Sequence, residues 1–255
     1  RLRRVSAKTV STTRGRKRRV KYMEYIFFDC ESANCHTDGN IFSFGYVITD
    51  ENFNVISERS DMIVNPRKNF EPYVKKNILA YDIKSVKAAP DFKERFCEIK
   101  ELLCKDGRVC VGYGVENDVK FLKGDCKRYK LKMPALNLFD VQKLIVRAEN
   151  KPFKKLSLEY AERFGNDFER AHRSDCDAYL TMMIARDVCE KSGKPLGYYI
   201  ETQAEYDKKE RAAKMREKRR KERERLENKR AGAFAAENVY KEREKAGIKS
   251  ASCEK

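Results

Sequence analysis

The stretch "YIFFDCESAN" (Tyr25–Asn34) decides the reading of this chain. Tyr25 to Phe28 read as the middle of a buried strand, and Asp29 and Glu31 follow with one residue between them. Side chains alternate across a strand, so residues two apart share a face. Two carboxylates on one face repel, and both cost desolvation free energy unless a cation sits between them. The stretch is therefore either a wet strand end or half of a metal site.

Charge is distributed unevenly around it. The net charge of the 255 residues is +17. Residues 1–22 carry ten Lys/Arg and no acid, and residues 201–255 carry eighteen against twelve Asp/Glu, which leaves 23–200 nearly neutral. Basic ends attract polyanions, most often nucleic acid; a solubilising tail is the plainer alternative. The division that follows is a basic flexible arm at 1–22, a globular domain at 23–200 and a charged helical extension at 201–255. Nine Cys without a C-x-x-C pair exclude zinc-ribbon and thioredoxin spacings and fit reduced thiols in the cytoplasm. No apolar run is long enough to span a membrane, and no apolar stretch of signal-peptide type follows the basic start.

Within 23–200 the pattern is strands first, then alternation. Strands are expected at 25–29, 41–49 and 54–66, joined by short turns, as an antiparallel meander. "DFKERFCEIKELLCK" (91–105) places Phe92, Phe96, Ile99, Leu102 and Leu103 on one helical stripe. A short strand at 108–114 and a helix at 118–129 follow, then a strand passing into a helix at 136–148. Helices at 155–165 and 174–193 close at Gly165 and Gly193. That order gives a mixed sheet with helices on its faces. From 205 to 245 nearly every residue favours helix, with many i,i+4 opposite-charge pairs but no sustained apolar seam.

Two further acids and a histidine answer the opening pair. Asp118 stands at the start of the helix after the short strand 108–114. "AHRSDCDAYLT" (171–181) puts His172 five residues ahead of Asp177, near the start of the last helix of the globular domain. Four carboxylates arriving from separate elements need cations, and hard oxygen ligands suit Mg²⁺ or Mn²⁺ rather than zinc. Two such ions hold the attacking and leaving oxygens of a phosphodiester displacement, and a histidine beside them is a natural base. Asp175 has the wrong spacing from His172 and reads as a first-turn acid; Asp140 reads as a helix cap rather than a fifth acid. Phe42, Phe44 and Tyr46 read as core rather than a base-stacking platform.

This set resembles the DEDDh 3′→5′ exonucleases, the group of the polymerase III proofreading subunit, RNase T and oligoribonuclease. Asp29-Cys30-Glu31 matches their first motif, Asp118 the acid of the second, and His172 through Asp177 the third, over roughly residues 23–190. The second motif departs from the usual pattern, with Tyr113-Gly114-Val115-Glu116-Asn117 ahead of Asp118 and Asn117 in place of an aromatic residue. The resemblance implies an α/β, RNase H-like fold, a five-stranded mixed sheet flanked by helices. It implies metal ligation by Asp29, Glu31, Asp118 and Asp177, with two Mg²⁺ or Mn²⁺ ions, and His172 as general base. It implies contact of Glu31, Ser32 and Ala33 with the terminal nucleotide, and 3′→5′ hydrolysis of single-stranded DNA or RNA to nucleoside 5′-monophosphates. A polymerase or other protein partner for the C-terminal extension is also expected. The rival class is a nucleic-acid-binding or polymerase-associated scaffold whose basic ends carry the function.

Overall fold

The structure, a computed structural model, describes residues 23–34, 39–165 and 172–245. The basic arm expected at 1–22 lies outside them. The chain divides into two compact units, residues 1–200 and 201–255.

The first unit is built on β1 (Glu24–Ser32), β2 (Ile41–Thr49), β3 (Val55–Ile63), β4 (Arg108–Gly112) and β5 (Leu138–Asp140). They form one mixed sheet in the order β3-β2-β1-β4-β5. β1–β2 and β2–β3 pair antiparallel, as the meander reading requires, whereas β1–β4 and β4–β5 are parallel. The helices are α1 (Pro72–Asn77), α2 (Ile83–Ala88), α3 (Phe92–Cys104), α4 (Glu116–Arg128), α5 (Val141–Glu149), α6 (Leu156–Phe164), α7 (Ser174–Ser192) and α8 (Leu196–Glu201). α3 starts with a capping box, in which the Asp91 and Glu94 side chains each accept the other's backbone N–H. α6 and α7 end where expected, at Gly165 and Gly193 in the left-handed region. The short helices α1, α2 and α8 carry no periodic signal strong enough to read from sequence.

β1 is buried on both faces, and its alternation splits the core. Tyr25 and Phe27 pack in one apolar cluster with Leu144 and Ile145 of α5 and Ile184 and Val188 of α7. Ile26, Phe28 and Cys30 pack in the other with Ile99 of α3 and Leu122 of α4. Phe42 and Phe44 are fully buried core residues. Asp140 is the N-cap of α5; its Oδ1 accepts from the N–H of Gln142 at 2.8 Å and of Gly114 at 3.1 Å, tying the β4–α4 turn to β5.

One position in β2 sets how α7 meets the sheet. A Cβ added at Gly45 would lie 2.0 Å from the backbone N of Asp175 and 2.0 Å from the carbonyl carbon of Ser174. The helix therefore rests its first turn directly on the strand backbone, which only glycine permits.

The second unit holds α9 (Gln203–Lys245), 43 residues long. Ion pairs of i,i+3 and i,i+4 spacing run along it, among them Lys214–Glu210, Arg220–Glu217 and Arg220–Glu224. Met215, Leu226, Val239 and Tyr240 are exposed on it.

Replacement of Gly45 by Ala is expected to lower stability by about 3 kcal/mol, since the backbone of α7 has to move. In a thermal melt that is a fall in Tm on the order of 10 °C. Gly193→Ala, in open space at φ +65°, is expected to cost only about 1 kcal/mol. Equal losses at the two sites would show that the close approach at Gly45 is not what matters.

Candidate active site

The carboxyl ends of the parallel strands β1 and β4 lie side by side, the place where open α/β sheets bind ligands. Asp29 and Glu31 are there because β1 outruns its parallel partner. The β1–β4 ladder stops at Phe27 and Val111, while β1 continues to Ser32. The Cys30 N–H, left beyond that ladder, donates to Asp118 Oδ1 at 2.8 Å. Asp118 sits in the first turn of α4 and is thereby drawn against β1. The Cys30 thiol points into the apolar core, where burial and the surrounding carboxylates push its pKa well up. It is core filler, as its position between two acids left open.

Asp29 pairs across the sheet with Gly45, so the two share the face on which α7 rests. α7 therefore delivers His172 and Asp177 to the same place as Asp29 and Glu31. Glu31, His172 and Asp177 each present a ligand atom, and these three atoms lie within 4.8 Å of one another. His172 Nδ1 is 3.7 Å from Glu31 Oε1. His172 itself has φ +67°, a conformation non-glycine residues adopt sparingly, just before the helix begins.

The electrostatics record the crowding. Burial, then the charges of Asp118, Glu31 and Asp177, hold the Asp29 carboxyl well above the usual carboxylate range. Asp118 is pushed up to about 8, mainly by burial, against the help of the Cys30 N–H. Asp177 is pushed up to about 7 by burial and by Glu31. Glu31 is raised by burial, partly offset by His172, whose own pKa is raised by its contact with Glu31. All four predicted acids and the histidine thus feel one another. The donor set, four carboxylates and one imidazole, is far too negative to stay ionised without a counter-charge, so the residues present fit divalent cations.

Ser32 and Ala33 lie at the mouth with their side chains turned inward. The Ser32 hydroxyl donates to the Gly39 carbonyl at 2.7 Å, and the Ala33 methyl is fully buried. What this segment offers outward is Glu31 and backbone. Asp175, in the first turn of α7, pairs with Arg173 at 3.1 Å and Arg59 at 3.7 Å, and its charge helps raise the pKa of Asp177 and Asp61.

Asp61 was missed by sequence reading. It lies on β3 opposite Gly45, so Asp29, Gly45 and Asp61 form one row across three strands. Its pKa is raised by burial, and its charge reaches Asp29 and Glu31. The only signal was an acid following the polar run Ser57–Ser60, which reads as solvated.

Comparison with known proteins places the chain in a family. The RNase_T exonuclease family model matches residues 26–185, and the chain belongs to that family, of DEDDh 3′→5′ exonuclease type. Divalent metal ions are the family's cofactors. No curated protein matches the chain with significance. Among solved structures it is similar to E. coli exonuclease I in a zinc-bound complex with single-stranded DNA, at 20% identity and TM-score 0.57, over 66% of this chain and 41% of that one. A second exonuclease I structure matches at 16% identity and TM-score 0.59, over 70% and 42%. The moderately thermophilic exonuclease I of Methylocaldum szegediense matches at 19% identity and TM-score 0.55, over 68% and 41%. These likenesses carry the RNase H-like α/β fold, and the chain spans about four-tenths of the length of those proteins.

The raised pKa values fix a pH dependence. An acid whose folded pKa lies above its unfolded value binds more protons when folded, so stability falls as pH rises between the two. His172, also raised, acts in the same direction. For Asp118 and Asp177 the window runs from about 4, the usual carboxylate value, to about 8 and about 7. The Tm of metal-free protein is expected to fall from pH 5 to pH 8, with Mg²⁺ or Mn²⁺ raising it more at pH 8 than at pH 5. Asp118→Asn should flatten that profile in differential scanning fluorimetry; a profile unchanged by the substitution would refute the assignment.

Proposed function

We propose that the protein is a metal-dependent 3′→5′ exonuclease acting on single-stranded nucleic acid and releasing nucleoside 5′-monophosphates. The observation that carries the reading is the gathering of ligand atoms of Glu31, His172 and Asp177 at the carboxyl end of β1, with Asp29 feeling the charges of Asp118, Glu31 and Asp177. The E. coli relative in complex with single-stranded DNA supports that polymer as the first substrate to test, with RNA beside it.

In this reading Asp29, Glu31, Asp118 and Asp177 hold two Mg²⁺ or Mn²⁺ ions. Bound there, the ions supply neutralisation of the scissile phosphate and a lowered pKa for the attacking water. Asp29 feels the charges of Asp118, Glu31 and Asp177 together, so it would be a central member of the set that holds the ions. His172 is half-exposed, so its ring is reachable by a water at the mouth of the site. Ions held by Glu31 would offset the charge that raises the His172 pKa, and the imidazole would then be the group that accepts the proton of the attacking water. Glu31, Ser32 and Ala33 form the strand end against which the terminal nucleotide lies, through Glu31 and the backbone. The cytoplasm is the compartment proposed, since the seven described cysteines are free thiols.

A role confined to binding is the weaker reading, because five chemically matched groups are kept together at a net energetic cost to the fold. The test is digestion of 5′-labelled single-stranded DNA and RNA oligomers with Mg²⁺ or Mn²⁺. Stepwise shortening from the 3′ end is expected, abolished by Asp29→Asn. His172→Ala is expected to lower kcat about 10³-fold while Mn²⁺ still binds. Full activity of Asp29→Asn would sink the assignment.

A further inference from the structure

The first turn of α7 is held from two sides. On one lie the acids of the site; on the other lies a closed polar ring that the chemistry above does not use. Its hub is Asp61, whose two oxygens accept different hydroxyls: Ser43 Oγ at 2.7 Å on Oδ1 and Tyr81 Oη at 2.5 Å on Oδ2. The ring closes through one residue of α7. Ser174 Oγ lies 2.5 Å from Ser43 Oγ, and the Ser174 backbone N–H donates to Tyr81 Oη at 3.2 Å.

The proton count is consistent. An ionised Asp61 only accepts, so both Tyr81 and Ser43 donate to it. Ser43 Oγ is then free to accept from Ser174 Oγ–H, and Tyr81 Oη to accept from Ser174 N–H. Tyr81 and Ser43 stand 2.9 Å apart because they grip one carboxylate. Ser43 and Ser174 are fully buried, so water does not replace these bonds. Arg173 closes the outer side, 3.5 Å from Asp61 and stacked over the Tyr81 ring at 5.4 Å.

The placement gives the ring its meaning. Ser174 is two residues after His172 and three before Asp177. Ser43 is the cross-strand partner of Glu31. The N–H of Ser174 belongs to the first turn, where helix donors lack partners within the helix. Tyr81 comes from the connection between α1 and α2. The helix before that connection, α1, is anchored at its own start, where the N–H of its N-cap Glu71 donates to the Ala33 carbonyl at 2.9 Å.

Resting on the exonuclease reading above, we propose that Tyr81 is a positioning residue for His172: through Asp61, Ser43 and Ser174 it fixes the start of α7 and with it the angle at which the imidazole faces the site. It touches neither substrate nor metal in this account.

The experiment is a double-mutant cycle of Tyr81→Phe with His172→Ala, with Ser43→Ala as a second route to opening the ring. Tyr81→Phe is expected to lower kcat on the order of 10-fold with KM within about 2-fold. In the His172→Ala background it is expected to change the residual rate by less than about 2-fold, because there is no longer a base to aim. Hydrogen–deuterium exchange on metal-free protein gives a reading independent of activity. The amides of residues 174–177 should exchange faster in Tyr81→Phe and Ser43→Ala, with the second half of α7 unchanged. Equal loss in both backgrounds, an unchanged kcat, or unchanged exchange at 174–177 would overturn the proposal. Inactive wild-type protein, or fully active Asp29→Asn, would instead overturn the exonuclease reading, with the exchange data still deciding whether the ring holds α7.

Discussion

The first turn of α7 lies on bare backbone at Gly45, and most of what is distinctive in the globular unit depends on that contact. A helix normally stands off a sheet by the length of its side chains. Here it comes closer, and its N-terminal end, with partial positive charge, is lowered between Asp29 on one side and Asp61 on the other. The same approach carries Asp177 and His172 to Glu31. A larger residue in β2 would lift the helix and pull the third motif away from the first.

Two charge arrangements in this fold show what that closeness is for. Beside α5, α6 and α7, the buried Arg163 bonds to Glu149, Glu159 and Asp187 at 2.6–2.7 Å, with Lys151 and Lys191 adding to the pairing. Charges there are matched, as a structural network requires. At the end of β1 four carboxylates face one histidine, and their pKa values rise in consequence. A fold that pairs its buried charges in one place and leaves them like-signed in another has concentrated strain where chemistry is done. In the proposed reading, bound cations would restore the stability lost there.

Much of this was legible in the chain. The alternation at 25–31 identified a strand buried on both faces with its acids on one side, and periodicity placed the helices that carry Asp118 and Asp177. Local signals fixed Asp140 and Asp175 as helix-start acids. α1, α2 and α8 were not foreseen, because six residues cannot show a helical period. Neither was Asp61: the residues ahead of it in β3, Glu58 to Ser60, are polar and exposed, so it reads as the end of a solvated run.

The sequence by itself determined the order of elements, the sharing of a face by Asp29 and Glu31, and the spacing of His172 and Asp177, since each depends only on local periodicity and distance along the chain. Tertiary structure alone decided which strand would lie beside β1, that Gly45 would become the seat of a helix, and that Asp61, Tyr81, Ser43 and Ser174 would close a ring. Those relations join residues up to 131 positions apart, and no local rule of side-chain geometry reaches across such a separation.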